Sequence, residues 1–354
     1  MSHKKATLKD IAESLNVSIT TVNRALKNHP DISTKLKEQI VFLAGELHYR
    51  PNFFASSLRK KHSGIIGVII PKVIHYFSST VLSGIIKTAA DCGFQVIISE
   101  SNNELEREKM SLLNMMNSGV DGILIAVSNN TKDETHFDIL EQEEIPFVFF
   151  DKVPDHISGP KVLTNDKKGA FIATEHLIRQ NYKRIAHIKG QESSRNATPR
   201  FNGYKEALEK YGYGFDKQLI KECVSANEEE GYQFAMQLMK LKNRPDAFFC
   251  VNDETAIGVL AALRKLKIRL PEEVGVVGFS NTKAGLYMQP SLTSIEQFGF
   301  DIGKTAIEML SDLILHNNTM IEMHNAILEP KLFVRESSKK NHLNSMALFC
   351  SADA

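Results

Sequence analysis

Apolar residues recur along this chain with two different periods, and the change from one to the other near residue 64 divides it. Before that point the spacing is helical. In the stretch TLKDIAESLNV, Leu8, Ile11, Ala12 and Leu15 return every three or four residues, and Thr7 with Asp10 has capping-box spacing, which predicts a short helix over about residues 7 to 14. Ser18 can cap a second helix, Ile19 to Leu26, whose inward positions are Val22, Ala25 and Leu26; only a tight Leu-Asn-Val turn separates the two. Ser33 can cap a third over about residues 34 to 47, with Leu36, Ile40, Leu43, Ala44 and Leu47 on one stripe, ended by His48-Tyr49-Arg50-Pro51. Two short helices joined by a tight turn and backed by a third form a helix-turn-helix arrangement, in which the second helix enters the DNA major groove. The face of that helix turned away from the core carries Ile19, Thr20, Thr21, Asn23 and Arg24. Arginine is the commonest reader of guanine edges, threonine and isoleucine meet thymine methyls, and Thr21 and Asn23 can donate to phosphates. A bundle built to dock another protein would show an apolar outer face, whereas this one is polar and basic.

From Gly64 onward short β-branched runs alternate with helical stretches: GIIGVIIP, a helix near 78 to 92, FQVIISE, a helix near 104 to 118, DGILIAV, a helix near 133 to 143, and PFVFFD. A second series follows, with KVLTND, a helix near 167 to 180, RIAHIKG, a helix near 200 to 211, a strand near 219 to 224, a helix near 229 to 241, DAFFCVND, a helix near 254 to 266, and VGVVGFS. Such alternation implies parallel strands with crossover helices, hence two doubly wound α/β lobes behind an all-α headpiece. Ligands of such sheets bind beyond the carboxyl ends of the strands.

Between the two patterns lies Asn52-Phe-Phe-Ala-Ser-Ser-Leu-Arg-Lys-Lys61, too short for a helix stable by itself in water. Asn52 after Pro51 is a plausible N-cap, Ala55, Ser56 and Ser57 are small, and the single large Leu58 is followed by three cations. That composition suits a wedge entering a minor groove while Arg59, Lys60 and Lys61 hold phosphates; a solvated linker is the plainer alternative.

Charge sharpens the division. Residues 1 to 62 hold 11 Lys or Arg against 5 Asp or Glu, and the remainder holds 32 against 37, so a net charge of +1 conceals a basic N-terminal sixth. A polyanionic partner for that end is the natural expectation. With 42% hydrophobic and 24% charged residues the rest reads as ordinary globular protein. Cys92, Cys223, Cys250 and Cys350 lack paired spacing, which predicts neither disulfides nor a zinc site and fits a reducing, cytoplasmic setting. The longest apolar runs are strand-length, so no membrane anchoring or export is expected.

The segments TLKDIAESLNVSITTVNRALKNHPDIS and LHYRPNFFASSLRKK together resemble the DNA-binding headpiece and hinge of the LacI/GalR family of bacterial transcription regulators. The family's usual Val-Ser-x-x-Thr-Val-Ser-Arg stands here as Val17-Ser18-Ile19-Thr20-Thr21-Val22-Asn23-Arg24, with Asn23 replacing Ser, and Tyr-x-Pro-Asn-x-x-Ala-x-x-Leu matches Tyr49, Pro51, Asn52, Ala55 and Leu58. The resemblance extends over nearly the whole chain. It implies base-reading positions at Ile19, Thr20 and Arg24, phosphate positions at Thr21, Asn23, Ser33 and Asn52, and an intercalating hinge leucine at Leu58. It further implies a headpiece over 1 to 50, a hinge over 51 to 62, and a body like periplasmic sugar-binding proteins whose chain crosses between lobes near 163, 291 and 323. The N-terminal lobe would then comprise 63 to 163 and 292 to 322, the C-terminal lobe 164 to 291 and 323 to 337, with 338 to 354 a flexible tail. The implied protein is a homodimer, or a higher oligomer, bound to a near-palindromic operator in double-stranded DNA.

Strand ends facing the cleft are the expected effector contacts: Tyr76 and Phe77 after the first strand, Asp151 and Lys152 after PFVFFD, Arg200 opening a helix, Asn252 after AFFCV, and Ser280 after VGVVGF. Duller roles stand beside them. Asp253 can cap the next helix, Asp151 can satisfy loop amides, and Tyr76 and Phe77 can be core. Arg200 and Asn252 match effector-contact positions of the family in Pro-Arg-Phe-Asn-Gly-Tyr and Val-Asn-Asp-Glu-Thr-Ala-Ile-Gly. Two departures bear on the ligand: Ser280 stands where the family commonly has Asp, and Ala226 falls near the place of a frequent aromatic platform. Losing an anionic acceptor while keeping Lys152 and Arg200 tilts the expected effector from a neutral sugar toward a sugar acid or sugar phosphate.

An enzyme finds no positive support. There is no Gly-rich phosphate loop, His-Glu-x-x-His, Cys-pair metal spacing or Gly-x-Ser-x-Gly elbow, and the 12 His are dispersed, so no cofactor or metal is expected. Two rivals to the regulator remain, a bilobal solute-binding protein without a DNA role and a Rossmann-like sugar-modifying enzyme.

Overall fold

The computed structural model describes residues 6–49, 62–154, 158–315 and 325–340, and the chain divides near Ser63 into two compact units. In the first, helices Leu8–Ser14, Ile19–Leu26 and Thr34–Glu46 follow the expected spacing. The capping box forms: Thr7 N donates to Asp10 Oδ2 (2.7 Å) and Asp10 N to Thr7 Oγ1 (3.3 Å). Ser18 accepts from Thr21 N at 3.0 Å and Ser33 from Leu36 N at 3.4 Å, so each helix start has a side-chain partner for an otherwise unpaired amide. Asn16, in the tight turn, takes φ 52°, a left-handed conformation that asparagine tolerates. Ile11, Ala12, Val22, Ala25, Ile40 and Ala44 form the buried centre. Leu47, expected on the inward stripe, is instead 38% exposed, because the third helix ends one residue before it.

The second unit contains two six-stranded sheets. The first has the order β11-β5-β4-β3-β1-β2, with β1 Ile65–Ile70, β2 Gln95–Glu100, β3 Gly122–Ile125, β4 Phe147–Phe150, β5 Lys161–Thr164 and β11 Ala326–Leu328. The second runs β12-β10-β9-β8-β6-β7, with β6 Ile185–Lys189, β7 Ile220–Glu222, β8 Ala247–Cys250, β9 Gly275–Phe279, β10 Thr293–Glu296 and β12 Lys331–Phe333. All pairings are parallel except β10 with β12. Helices cover both faces of each sheet, which explains why β1, β3, β4, β8 and β9 are buried along their full lengths. Successive side chains of β1 serve different cores: Ile66, Val68 and Ile70 join one cluster and Ile69 the other.

Sheet membership moves two of the expected crossings. Strand β10 lies in the second sheet, between β9 and β12, so the chain passes to the first lobe after Glu296, not near 291. Strand β11 pairs with β5 of the first sheet, so the return follows Leu328, not 323. The first crossing falls between Thr164 and helix Asp166–Arg179. The three connections touch one another: Thr164 Oγ1 donates to Gln297 O (3.4 Å), Asn165 N to Leu328 O (3.0 Å), and Lys168 pairs with Glu329 at 2.6 Å. Near 133 to 143 the expected single helix is a 3-10 turn, Thr135–Phe137, followed by Asp138–Gln142.

Helix Glu228–Leu238 crosses helix Asp253–Lys265 closely enough that only glycine fits at the contact. A Cβ on Gly258 would lie 1.9 Å from Glu228 O, and one on Gly231 would lie 2.1 Å from Thr255 O. Since backbone cannot yield as a side-chain tip can, Gly258→Ala is expected to destabilise the body by about 3 kcal/mol. A urea midpoint lowered accordingly, at unchanged slope, checks this.

Candidate DNA-reading surface and effector cleft

Helix Ile19–Leu26 buries Val22 and Ala25 completely or nearly so, which turns the opposite face outward. Ile19 is 49% exposed, and Thr20 and Arg24 are exposed with it. Arg24 lies 3.5 Å from Asp31, but both side chains stand in water, where such a pair is weak and the guanidinium stays available. Thr21 and Asn23 are half-buried at the edges of the face; the Thr21 hydroxyl shares a 2.8 Å hydrogen bond with Ser18. Ser33 is exposed at the start of the third helix. Asn52 and Leu58 lie outside the described residues.

In the second unit the carboxyl ends of both sheets face a cavity of about 380 Å³. Its wall is built from strand ends, as the topology requires. Lys72 and His75 follow β1, Asn102 and Asn103 follow β2, Asn129 and Asn130 follow β3, and Asp151 and Lys152 follow β4. From the second sheet come Gly190 and Gln191 after β6, Asn252 after β8 and Ser280 after β9, with Gln297 at the second crossing. Asp151 (φ 59°) and Ser280 (φ 120°) both turn the chain into the cleft through conformations that cost on the order of 1 kcal/mol or more each.

Six of the seven effector contacts read from the sequence reach this wall: Phe77, Asp151, Lys152, Arg200, Asn252 and Ser280. Tyr76 does not. It is half-buried at the start of helix Tyr76–Asp91, its backbone amide donates to Glu254 Oε1 at 3.3 Å, and burial raises its phenol.

Arg200 is 5% exposed and held on three sides: Nε donates to Asp166 Oδ1 (2.7 Å), Nη1 to Val251 O (2.6 Å), and the guanidinium lies 3.9 Å from the Phe279 ring centroid. Asp166 opens the helix after the first crossing; burial pushes its carboxyl up, and Arg200 pulls it back toward the charged form. Burial likewise drives Asp151 up to about 6 against the opposing charge of Lys152, and drives the Lys152 ammonium down against the charge of Asp151. Asn252 is the cap expected of Asp253: its Oδ1 accepts from Thr255 N (2.9 Å) and its Nδ2 donates to Ala226 O (2.7 Å). Asp253 points inward, fully buried, accepting from Ser294 Oγ and Thr282 N at 2.6 Å each, and burial raises it to about 7. Ser280 Oγ donates to Gln297 Oε1 at 2.9 Å.

Two buried polar atoms have no hydrogen-bond partner and belong to cleft residues, Asn129 Oδ1 and Gln297 Nε2. Sequence reasoning missed both residues, along with Asp166. Asn129 sits two residues past an apolar strand run and was within reach of the same strand-end rule; Gln297 and Asp166 depend on where the chain crosses.

The lobes are tied across the cleft mouth. Arg195, from the loop after β6, donates to Thr131 O at 3.2 Å and pairs with Glu134, both on the loop after β3. That loop is anchored by the fully buried Glu108, which accepts from Ser128 N (2.6 Å) and Thr131 Oγ1 (2.7 Å) and meets His136 Nε2 at 3.1 Å. Burial would raise Glu108, but the hydrogen bonds from His136, Thr131 and Ser128 outweigh it and hold the carboxyl below its ordinary value. A second tie joins Glu254 Oε1 to Tyr76 N and His75 Nδ1 at 3.3 and 3.9 Å.

Among the described residues no group of three or more His, Cys, Asp or Glu could hold a metal, and no helix is long and apolar enough to cross a membrane.

Residues 7–52 match a family described as bacterial regulatory proteins, lacI family, and residues 174–338 match a periplasmic binding protein-like domain. A ribose operon repressor of Halalkalibacterium halodurans is 30% identical, with 94% of this chain and 97% of that one covered. A PurR transcriptional repressor of Vibrio atlanticus is 29% identical over 92% of this chain and 97% of the other. Among solved structures, the Lac repressor dimer bound to operator and the anti-inducer ONPF superposes with a TM-score of 0.83 at 26% identity, over 95% of this chain and 99% of that one.

Breaking the Arg195 to Glu134 bridge tests the tie between the lobes. Both side chains are mostly buried, 16% and 5% exposed, so Arg195→Ala is expected to cost about 3 kcal/mol in urea denaturation, because a buried carboxylate loses its paired guanidinium. Glu134→Gln, which retains an acceptor, should cost less; equal losses would contradict this account.

Proposed function

The chain belongs to the lacI family of bacterial regulatory proteins, a family of DNA-binding transcriptional regulators and not of enzymes, and we propose that it is a cytoplasmic repressor acting as a homodimer on a near-palindromic operator. Its control by a small molecule follows the family; the finer proposal is that the molecule is a polyhydroxylated sugar derivative bound in the cavity between the two sheets. The observation that carries the ligand reading is the pair of buried, unpartnered groups in that cavity, the Asn129 acceptor and the Gln297 donor. A buried polar atom left without a partner costs roughly 1–3 kcal/mol, which a ligand hydroxyl bonded to each would recover.

On the DNA side we assign base contacts to Ile19, Thr20 and Arg24, phosphate contacts to Thr21, Asn23, Ser33 and Asn52, and the minor-groove wedge to Leu58. The exposure of Ile19, Thr20 and Arg24 on one face of a helix whose other face is core supports the first group. In the cleft, Phe77, Asp151, Lys152, Arg200, Asn252 and Ser280 are the proposed effector contacts, joined by Asn129 and Gln297. Arg200 and Asn252 also hold structure, so their contribution comes from the N–H groups not already engaged.

The twofold contact is assigned to the free edge of the first sheet. Strand β2 lies at that edge with Ile97 and Ile98 about two-fifths exposed, and Ile86, Met110 and Leu113 of the flanking helices are 48%, 63% and 49% exposed. So many large apolar side chains in one region mark an interaction surface, and a second copy is the partner that a palindromic site requires. Ile97→Asp combined with Met110→Glu is expected to yield a folded monomer by sedimentation; a dimer undiminished at micromolar concentration would move the interface elsewhere.

Arg24→Ala is expected to cost about 1–3 kcal/mol of operator binding and to relax preference at one base position. Leu58→Ala should weaken operator binding sharply and nonspecific binding little. Fluorescence anisotropy with operator and scrambled duplexes separates these cases, and equal losses on both duplexes for Leu58→Ala would refute the wedge.

A further inference from the structure

Resting on the reading of the cavity as the effector site, we infer that the effector carries an anionic oxygen group, the carboxylate of a sugar acid or the phosphoryl group of a sugar phosphate, received by Arg200, Lys152 and Gln297. Arg200 has five N–H groups, of which one Nε–H and one Nη1–H are engaged with Asp166 and Val251 O. Stacking on Phe279 and near-complete burial fix the plane in which the others point. Gln297 is 1% exposed; Ser280 occupies its oxygen, and its amide nitrogen has no partner. The Lys152 ammonium lines the same cavity and makes no hydrogen bond or ion pair among the described residues.

The carboxylates nearby are differently placed. Asp166 is committed to Arg200, and Glu254 to Tyr76 N and His75. Asp151 and Asn129 Oδ1 are left as acceptors, enough to receive ligand hydroxyls. Asp151 is also the group that adapts to an anion: burial already holds its carboxyl near 6, and a second negative charge would push it further toward the neutral acid, which can itself donate. At position 280 a carboxylate would repel such a ligand; the serine there instead engages the Gln297 oxygen, leaving the amide N–H groups of that side chain as its unpartnered donors. A neutral sugar would leave a buried cation and up to several donors without strong acceptors, and charge-assisted hydrogen bonds are roughly twice as strong as neutral ones.

The test uses the full-length protein with matched compounds: glucose, galactose and ribose; gluconate, glucuronate and galacturonate; glucose 6-phosphate and ribose 5-phosphate. Thermal shift selects binders and calorimetry gives affinities, with operator anisotropy followed in the same samples. At least one anionic compound should bind ten-fold or more tightly than its neutral parent, and the arm that responds tells carboxylate from phosphate. Lys152→Met should lower that affinity at least ten-fold, and Gln297→Glu should reverse the preference toward the neutral sugar, in variants whose unliganded melting temperatures confirm folding. Equal or tighter binding of a neutral parent, absence of binding by every anionic compound, or affinity unchanged in Lys152→Met overturns the inference. A neutral sugar that alters operator affinity would do so while leaving the regulator reading intact, whereas a ligand that binds the cleft tightly without altering operator affinity would count against that reading itself.

Discussion

Parallel strands end together, and the chain of this protein crosses three times between two parallel sheets, so both sets of strand ends are held facing one another. Everything at the cleft follows from that constraint. Neither sheet is complete until the last fifth of the chain has been laid down: β10 and β12 finish the second, and β11 finishes the first. The three connections bond to one another through Thr164, Asn165 and Lys168, and Arg195 with Glu134 and Glu254 with His75 add two side-chain ties between the lobes. A ligand inside therefore sits between lobes joined by three connections and two ties, and any differential affinity it has for open and closed lobes becomes a bias on how they are set.

The headpiece works by a simpler division of labour. A short helix with Val22 and Ala25 inward leaves Ile19, Thr20 and Arg24 no option but to face out, and the small buried centre of three capped helices is enough to hold that face rigid. In the proposed reading, the basic charge collected in the first 62 residues supplies the attraction that any DNA sequence receives, and the outward side chains supply discrimination among sequences. Coupling needs only that effector and operator prefer different arrangements of the same dimer. Induction and corepression are then the same device with opposite sign.

Most of the fold was legible from local pattern, because the decisive signals are local. Thr7 with Asp10, Ser18 and Ser33 cap the helices whose apolar spacing announces them, and the runs that became β1, β3, β4, β8 and β9 are continuously apolar and bounded by turns. The crossings at 291 and 323 were misplaced because β11 and β12 are three residues long and β10, Thr293–Glu296, mixes polar with apolar residues, too little pattern to say which sheet they join. At the cleft, the strand-end rule located Asp151, Lys152, Asn252 and Ser280, yet it could not tell that Asn252 caps the helix while its neighbour Asp253 turns inward to Ser294. Gln297 and Asp166 were invisible for a related reason: each matters through a partner, Ser280 or Arg200, that lies 17 or 34 residues away in sequence.

The central claim is that one chain reads a DNA sequence at its N-terminal end and answers to a small molecule held between its sheets. Footprinting of the full-length protein across a library of genomic fragments, titrated with whichever compound stabilises the body, addresses both halves at once. The account predicts a protected inverted repeat whose half-saturation point moves when the compound is added. Fragments without any protected inverted repeat, in the presence and absence of every such compound, would contradict it.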